Sequence, residues 1–115
     1  MRGALARLPS SVYLDPMVEI SDALPGADVI REGFRDLEAG VESVPALLVL
    51  IGAPRLRELG YDVEDPPYLP EDRLYEKLAL SHGDGAHSQY NSLIRLLVSF
   101  ERASEQAETR DRLAD

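Results

Sequence analysis

The chain has 115 residues, and its 21 acidic and 12 basic side chains give a net charge of −9. This length suits a single domain with one hydrophobic core, and the absence of cysteine excludes disulfides, thiolate metal sites and cysteine nucleophiles. The acidic balance argues against binding to nucleic acid or to an anionic membrane, because both need clustered Lys and Arg. We therefore expect one soluble acidic domain.

The N-terminal segment has no apolar stretch of the length found in a secretory signal. The longest apolar run, residues 44–53, is about half of the roughly 20 residues needed to cross a bilayer. We expect a cytoplasmic protein without a membrane segment.

Prolines divide the chain, since all eight lie at or before Pro70. Three of them fall in residues 1–26, which we expect to be irregular apart from a short helix that begins at Pro16. Residues 71–115 can be helical almost throughout, although the polar tail 108–115 is expected to fray.

The first clear helix is predicted over residues 27–39. Ile30, Phe34 and Leu37 recur at steps of four and three, so they share one face of the helix. Gly33 lies on the same stripe, where the lack of a side chain lets another backbone approach closely. The glycine that follows the segment is suited to ending a helix.

The next segment, residues 43–54, is apolar on every side at its centre, so periodicity does not separate a buried helix from a buried strand. Ser43 as an N-cap and Pro45 in the first turn favour a helix, whereas the β-branched residues before the next glycine favour a strand. We favour the helix because no other segment offers a partner strand. A short helix should follow, ending at the next glycine.

Residues 61–70 form an acidic, proline-rich connector, because consecutive prolines disfavour helix before them. With the two residues that follow, it carries five carboxylates and no base, and residues 61–86 carry −5 of the net charge. Interleaved Tyr61, Tyr68 and Leu69 make it a candidate docking strip for a basic partner. The alternative is a solvated connector whose tyrosines fold back on the core.

A helix is predicted to begin at Pro70 and to end at His82, before a glycine. Its buried stripe is predicted to be Leu74, Tyr75, Leu78 and Ala79. A turn with two glycines then leads to the last and longest helix, from about residue 87 to residue 108.

The last helix is more apolar than one side of a small core requires. Six of the eight residues in 93–100 are apolar, whereas a helix lining one side of a core needs about three in seven. The helix is therefore either central to the domain, wrapped by the others, or it buries a second face in a partner. A symmetric dimer is the commonest such arrangement, and the candidate interface residues are Leu96, Val98 and Phe100.

The turn between the last two helices holds a candidate metal site. His82, Asp84 and His87 lie within six residues, with glycines between them, and imidazole and carboxylate groups can ligate a divalent metal. The spacing matches no established zinc motif, however. A corner between two helices explains the same residues, with His82 near the C-terminal dipole of one helix and Asp84 capping the next.

Four arginines could bind a phosphate or carboxylate if they converged, although pairing with nearby surface acids is the favoured interpretation. They are Arg31, Arg35, Arg55 and Arg57. The chain has no glycine-flanked serine nucleophile and no phosphate-binding glycine loop. We therefore assign no catalytic residue and no cofactor, and we predict that the protein is not an enzyme.

Together these patterns predict a mainly α protein: one domain over residues 1–115, built as a compact bundle of four to five helices with a proline-rich connector and a long C-terminal helix. The predicted function is protein interaction, in regulation or assembly, with a second copy of the chain or a basic protein as partner. The first alternative is a small metal-binding protein that uses the His82, Asp84 and His87 turn. The second, against the charge balance, is a helix-turn-helix nucleic-acid-binding module over residues 71–100.

Overall fold

The protein is mainly α, as the sequence predicts. A computed structural model describes residues 20–114, which form five α-helices, one short 3₁₀ turn and no β-strand. The elements in chain order are α1 (Ala27–Glu38), α2 (Val44–Ile51), α3 (Ala53–Glu58), α4 (Pro70–His82), the 3₁₀ turn Gly83–Gly85 and α5 (Ala86–Ala114). Residues 20–26 contain turns and no helix, so the short helix predicted from Pro16 through Leu24 is wrong over residues 20–24. Its start, at Pro16, lies outside the described residues.

Helix α1 ends in a turn that sets the direction of the chain toward α2. Gly40 adopts a positive φ of 75°, and its N–H donates to the carbonyl oxygen of Leu37 at 3.1 Å. The N–H of Val41 reaches back to the carbonyl oxygen of Asp36 at 2.8 Å. These two bonds form a Schellman motif, which satisfies the last carbonyls of the helix and fixes where Val41 emerges.

The ambiguous segment after α1 is a helix, so the strand alternative is wrong. The Ser43 hydroxyl oxygen accepts a hydrogen bond from the N–H of Ala46 at 3.1 Å and donates one to Asp36 at 2.6 Å. This N-cap, together with Pro45 in the first turn, starts α2. The four consecutive residues 46–49 are all buried, because α2 packs against each of the other four helices. The central helix of this bundle is therefore α2.

Helix α4 has the predicted limits but a narrower buried face than expected. Leu74 and Leu78 are buried in the core. Ala79 and Tyr75, which were predicted to be buried, are exposed, Tyr75 by 40% of its surface. The ring of Tyr75 packs against that of Tyr90 on α5, with 5.7 Å between centroids. The buried stripe of α4 is narrow because, among the described elements, this helix has extensive contacts only with α2, α5 and the 3₁₀ turn.

Helix α5 has 29 residues, which corresponds to about 43 Å of helix. It starts one residue before the predicted position and continues to Ala114, through most of the tail 108–115. Among the residues of α5 whose burial is described, the buried ones nearest its two ends are Ala86 and Ser104. None of residues 105–110 is buried, so this part of the helix extends past the core that it helps to build.

Three aromatic rings join distant parts of the chain in the core. The ring of Tyr61 lies between those of Phe34 and Phe100, with centroid distances of 5.8 Å and 5.9 Å. The Tyr61 hydroxyl is hydrogen-bonded to the Ser104 hydroxyl at 3.1 Å in a buried position. The start of the connector is thereby held against α1 and α5.

This buried hydroxyl pair allows a test of the Tyr61 position. We expect Tyr61→Phe to lower the free energy of unfolding by about 1 kcal/mol, because the Ser104 hydroxyl loses its partner while buried. Ser104→Ala should cost a similar amount for the reciprocal reason. The double variant should cost less than the sum, since it leaves neither group unpaired. Urea denaturation of the four chains measures this coupling, and strictly additive effects would contradict the contact.

Candidate interaction surface

Part of the apolar face of α5 that the sequence predicts as an interface is buried in the core of the bundle. Phe100 has no exposed surface and packs on Tyr61. Leu97 is buried against Gly52, where an added Cβ would lie only 2.9 Å from a Leu97 methyl carbon. Phe100 is therefore a core residue, not an interface residue, because α2 and the connector cover it within the same chain.

The other two predicted interface residues on α5 differ in their surroundings. Leu96 is partly buried and packs closely on Gly26, where an added Cβ would lie 2.8 Å from Leu96 Cγ. Val98 is 36% exposed. The turns before α1 thus cover Leu96, and Val98 is the member of the predicted set that reaches solvent.

One part of the connector folds back on the core, and another part remains exposed, as a docking strip would be. Tyr61 and Val63 fold back into the core, as the solvated-connector alternative expects. Tyr68 and Leu69 remain exposed, Leu69 by 66% of its surface. Tyr61 is therefore unavailable for docking, because its ring and hydroxyl are both occupied within the chain.

Tyr68 lies beside another exposed apolar residue, Val41, at the turn that follows α1, and exposed Leu69 is the next residue in the chain after Tyr68. A shallow pocket of about 140 Å³ brings Val41 and Tyr68 together. It is lined by Leu37, Gly40, Val41, Glu42, Ala46, Leu50 and Tyr68. Its volume is well below the roughly 300–1,000 Å³ of small-molecule sites, so it suits a single apolar side chain. We call this pocket, with Val41, Tyr68 and Leu69, the apolar corner.

An ion pair holds the two walls of the apolar corner together. The Arg73 guanidinium on α4 binds the Glu42 carboxylate in a bidentate manner, with Nε donating to Oε2 at 3.1 Å and Nη2 donating to Oε1. Arg73 Nη1 also donates to Glu76 at 3.3 Å. Because Glu42 adjoins Val41, this ion pair fixes the turn after α1 against the start of α4.

The polar groups on the rim have defined protonation states. The hydrogen bond from Arg73 lowers the pKa of the Glu42 carboxyl, so this group is ionised at neutral pH. Burial, followed by the negative charge of Glu42, raises the pKa of the Tyr68 hydroxyl. Tyr68 therefore presents a neutral phenol.

Carboxylates precede and follow Tyr68 and Leu69 in the chain. Asp65 is paired with Arg57 through two hydrogen bonds of 3.2 Å. The other acids of the connector and of the first turn of α4 are exposed and make no ion pair within residues 20–114. They are Asp62, Glu64, Glu71 and Asp72.

The candidate metal residues remain separate features of an exposed turn. His82, Asp84 and His87 are all exposed, and a nitrogen of the His87 ring is hydrogen-bonded to Asn91 at 3.2 Å. Across the part of the chain that the structure describes, no group of three or more His, Asp or Glu side chains is arranged to hold a metal ion. The geometry therefore gives the metal hypothesis no support.

Three of the four candidate arginines are used in separate surface ion pairs. Arg31 pairs with Asp22 at 2.6 Å, and Arg57 pairs with Asp65. Arg55 pairs with Glu58 at 3.0 Å and with Glu105 on α5. Because each guanidinium has its own carboxylate partner, these three arginines do not form a common anion site.

Val41 is the member of the apolar corner that carries the weakest sequence signal. It is an isolated β-branched residue between the helix-ending glycine and Glu42. Only the Schellman turn places it beside Tyr68, which lies far away in sequence. A lone apolar residue directly after a helix-ending glycine is the signal that could have identified it.

The fold and this surface define a small helical bundle with an exposed apolar corner. Among the described residues, no helix is both long and apolar enough to span a membrane. Comparisons with protein-family models, curated proteins and solved structures found no match to this chain.

Proposed function

We propose that the protein acts by binding another protein through the apolar corner, in a regulatory or assembly role, and not by catalysis. The observation that carries the proposal is that exposed Val41 and Tyr68 line one pocket of about 140 Å³, with exposed Leu69 next to Tyr68 in the chain. Single exposed apolar residues are normal, but a group of them at a concave site is typical of an interface. The compartment proposed for this interaction is the cytoplasm.

The contacts within the apolar corner support the same proposal. The Schellman turn at Gly40 and the ion pair between Glu42 and Arg73 connect the segments that form the pocket within the chain itself. Binding to a preformed site costs less conformational entropy than binding to a site that must first be ordered. Two partners are consistent with the sequence, a basic protein or a second copy of the chain as a homodimer.

Site-specific photo-crosslinking tests the proposal. We expect a benzophenone amino acid in place of Leu69 to form a discrete adduct in cells of the source organism, because this exposed position adjoins Tyr68, which lines the pocket. The matched control replaces Leu80, which is 90% exposed on α4 and lies about 16 Å further along the helix. It should form no such adduct.

Mass spectrometry identifies the adduct, and binding of the purified partner to the full chain confirms it. Val41→Asp should abolish both the adduct and the binding. An adduct of twice the chain mass would identify a second copy. The proposal fails if positions 69 and 80 give the same products, or if neither gives any.

A further inference from the structure

We propose that the partner of the apolar corner is a cationic segment of another protein, which inserts one large apolar side chain between Val41 and Tyr68. This inference rests on the proposed function and adds the chemistry of the partner. It rests on two observations. The acids near Leu69 in the chain are exposed, and Arg73 is already paired with Glu42 and Glu76.

The acidic groups that precede and follow Tyr68 and Leu69 in the chain are free to meet positive charge. Asp62, Glu64, Glu71 and Asp72 are exposed and have no ion-pair partner within residues 20–114. They lie on both sides of Leu69 in sequence, so a segment that crosses Leu69 passes carboxylates before and after it. Lys or Arg side chains flanking an apolar anchor match this arrangement.

Two basic groups on α4 act on Glu42 at the rim: Lys77 through its charge, and Arg73 through a bidentate ion pair that leaves it unavailable to an acidic partner. The Arg73 guanidinium is occupied by Glu42 and Glu76. Displacing Glu42 would leave its carboxylate next to the incoming acid, which adds repulsion to the loss of a bidentate pair. An acidic segment is therefore disfavoured.

A second copy of the chain is also a poor match for the apolar corner. It would bring another net charge of −9 and, in a symmetric dimer, would set the two acidic connectors close to each other. The face of α5 that could have driven dimerisation is largely occupied, with Phe100 and Leu97 buried in the same chain. Charge therefore favours a cationic partner over a copy.

Four synthetic peptides, three of them amphipathic, provide the test with the full chain. Three share one apolar face and carry Lys, Gln or Glu on the other face, and the fourth is a scrambled Lys peptide without an apolar face. Fluorescence anisotropy measures the affinities at low and high salt. We expect the amphipathic Lys peptide to bind at least about tenfold more tightly than the Glu and scrambled peptides, and higher salt should weaken its binding.

Two pairs of matched variants locate the binding. Leu69→Asp should weaken binding of the Lys peptide by about tenfold or more, although it adds negative charge. Leu80→Asp adds the same charge elsewhere and should leave the affinity unchanged. Glu71→Lys with Asp72→Lys should reverse the peptide preference, whereas Asp28→Lys with Glu32→Lys on α1 should change it much less.

Equal binding of Lys and Glu peptides, or binding that Leu69→Asp does not weaken, overturns the cationic assignment. A crosslinked second copy or a non-basic crosslinked partner also overturns it, yet leaves the proposed function in place. Absence of any adduct at residue 69 removes the proposed function itself.

Discussion

Phe100→Ala is expected to lower the free energy of unfolding by about 3–5 kcal/mol. Phe100 has no exposed surface, and its ring packs on that of Tyr61 at 5.9 Å between centroids. Removing the ring deletes buried apolar surface and leaves a cavity between α5 and the connector, and the surrounding helices relax into such a space only partly. Chemical denaturation followed by circular dichroism measures the change.

Two controls keep this prediction decisive. Because a loss of this size approaches the total stability of a small domain, Phe100→Leu provides a milder change, expected to cost about 1 kcal/mol. Val98→Asp, two residues earlier at a position 36% exposed, should change stability by no more than about 0.5–1 kcal/mol. If Phe100→Ala instead leaves a stable monomer and abolishes an oligomer, Phe100 belongs to an interface and the packing of α5 is wrong.

Gly33→Ala is expected to destabilise the protein by about 2–3 kcal/mol, although the same change in an exposed helix stabilises by up to about 1 kcal/mol. Gly33 is buried on α1, where the backbone of α2 approaches closely. An added Cβ would lie 2.5 Å from Val49 Cγ2, and even nearer to the carbonyl oxygen of Pro45. The α1–α2 contact would have to open, because backbone atoms cannot move aside as the end of a side chain can.

The matched control is Gly85→Ala in the 3₁₀ turn. A Cβ added at Gly85 would have His82 Cβ as its nearest neighbour, at an ordinary contact distance of 3.8 Å. We expect this variant to have a stability within about 0.5 kcal/mol of the parent chain. Equal thermal midpoints for the two alanine variants would show that α1 and α2 are not packed as closely as described.

The limits of the helices are predictable because they depend on local chemistry. Pro70 and Gly83 bound α4 where proline and glycine act on the backbone directly. Ser43 and Pro45 start α2, because the hydroxyl caps the first free N–H groups. In the same way, Gly33 can be assigned to a close contact from its place on the apolar stripe of α1.

The arrangement of the helices is much less predictable, because it depends on which apolar faces meet. Both α2 and the 93–100 segment of α5 are rich in apolar residues, so composition alone does not decide which is enclosed. The structure encloses α2, while α5 reaches solvent at Val98. Of the three residues predicted for an interface on α5, Phe100 is buried, Leu96 is partly buried and Val98 is 36% exposed.

The apolar corner was only partly visible in the sequence. Tyr68 and Leu69 are identified by their place among prolines and acids, where no core is expected. The sequence does not predict that Tyr61 is buried while Tyr68 is exposed. Tyr61 is buried because it contacts Ser104 on α5, which is far away in the sequence. Val41 and Leu50 join the pocket only through the packing of α1 on α2.

The enclosure of α2 also determines how this sequence can diverge. Its four consecutive residues 46–49 are buried in a helix that contacts all four others, so a change of volume there demands matching changes elsewhere in the core. The exposed acids of the connector carry no such constraint. Homologous chains should therefore retain a serine-capped apolar run opposite a small residue on α1, even where the connector has drifted beyond alignment.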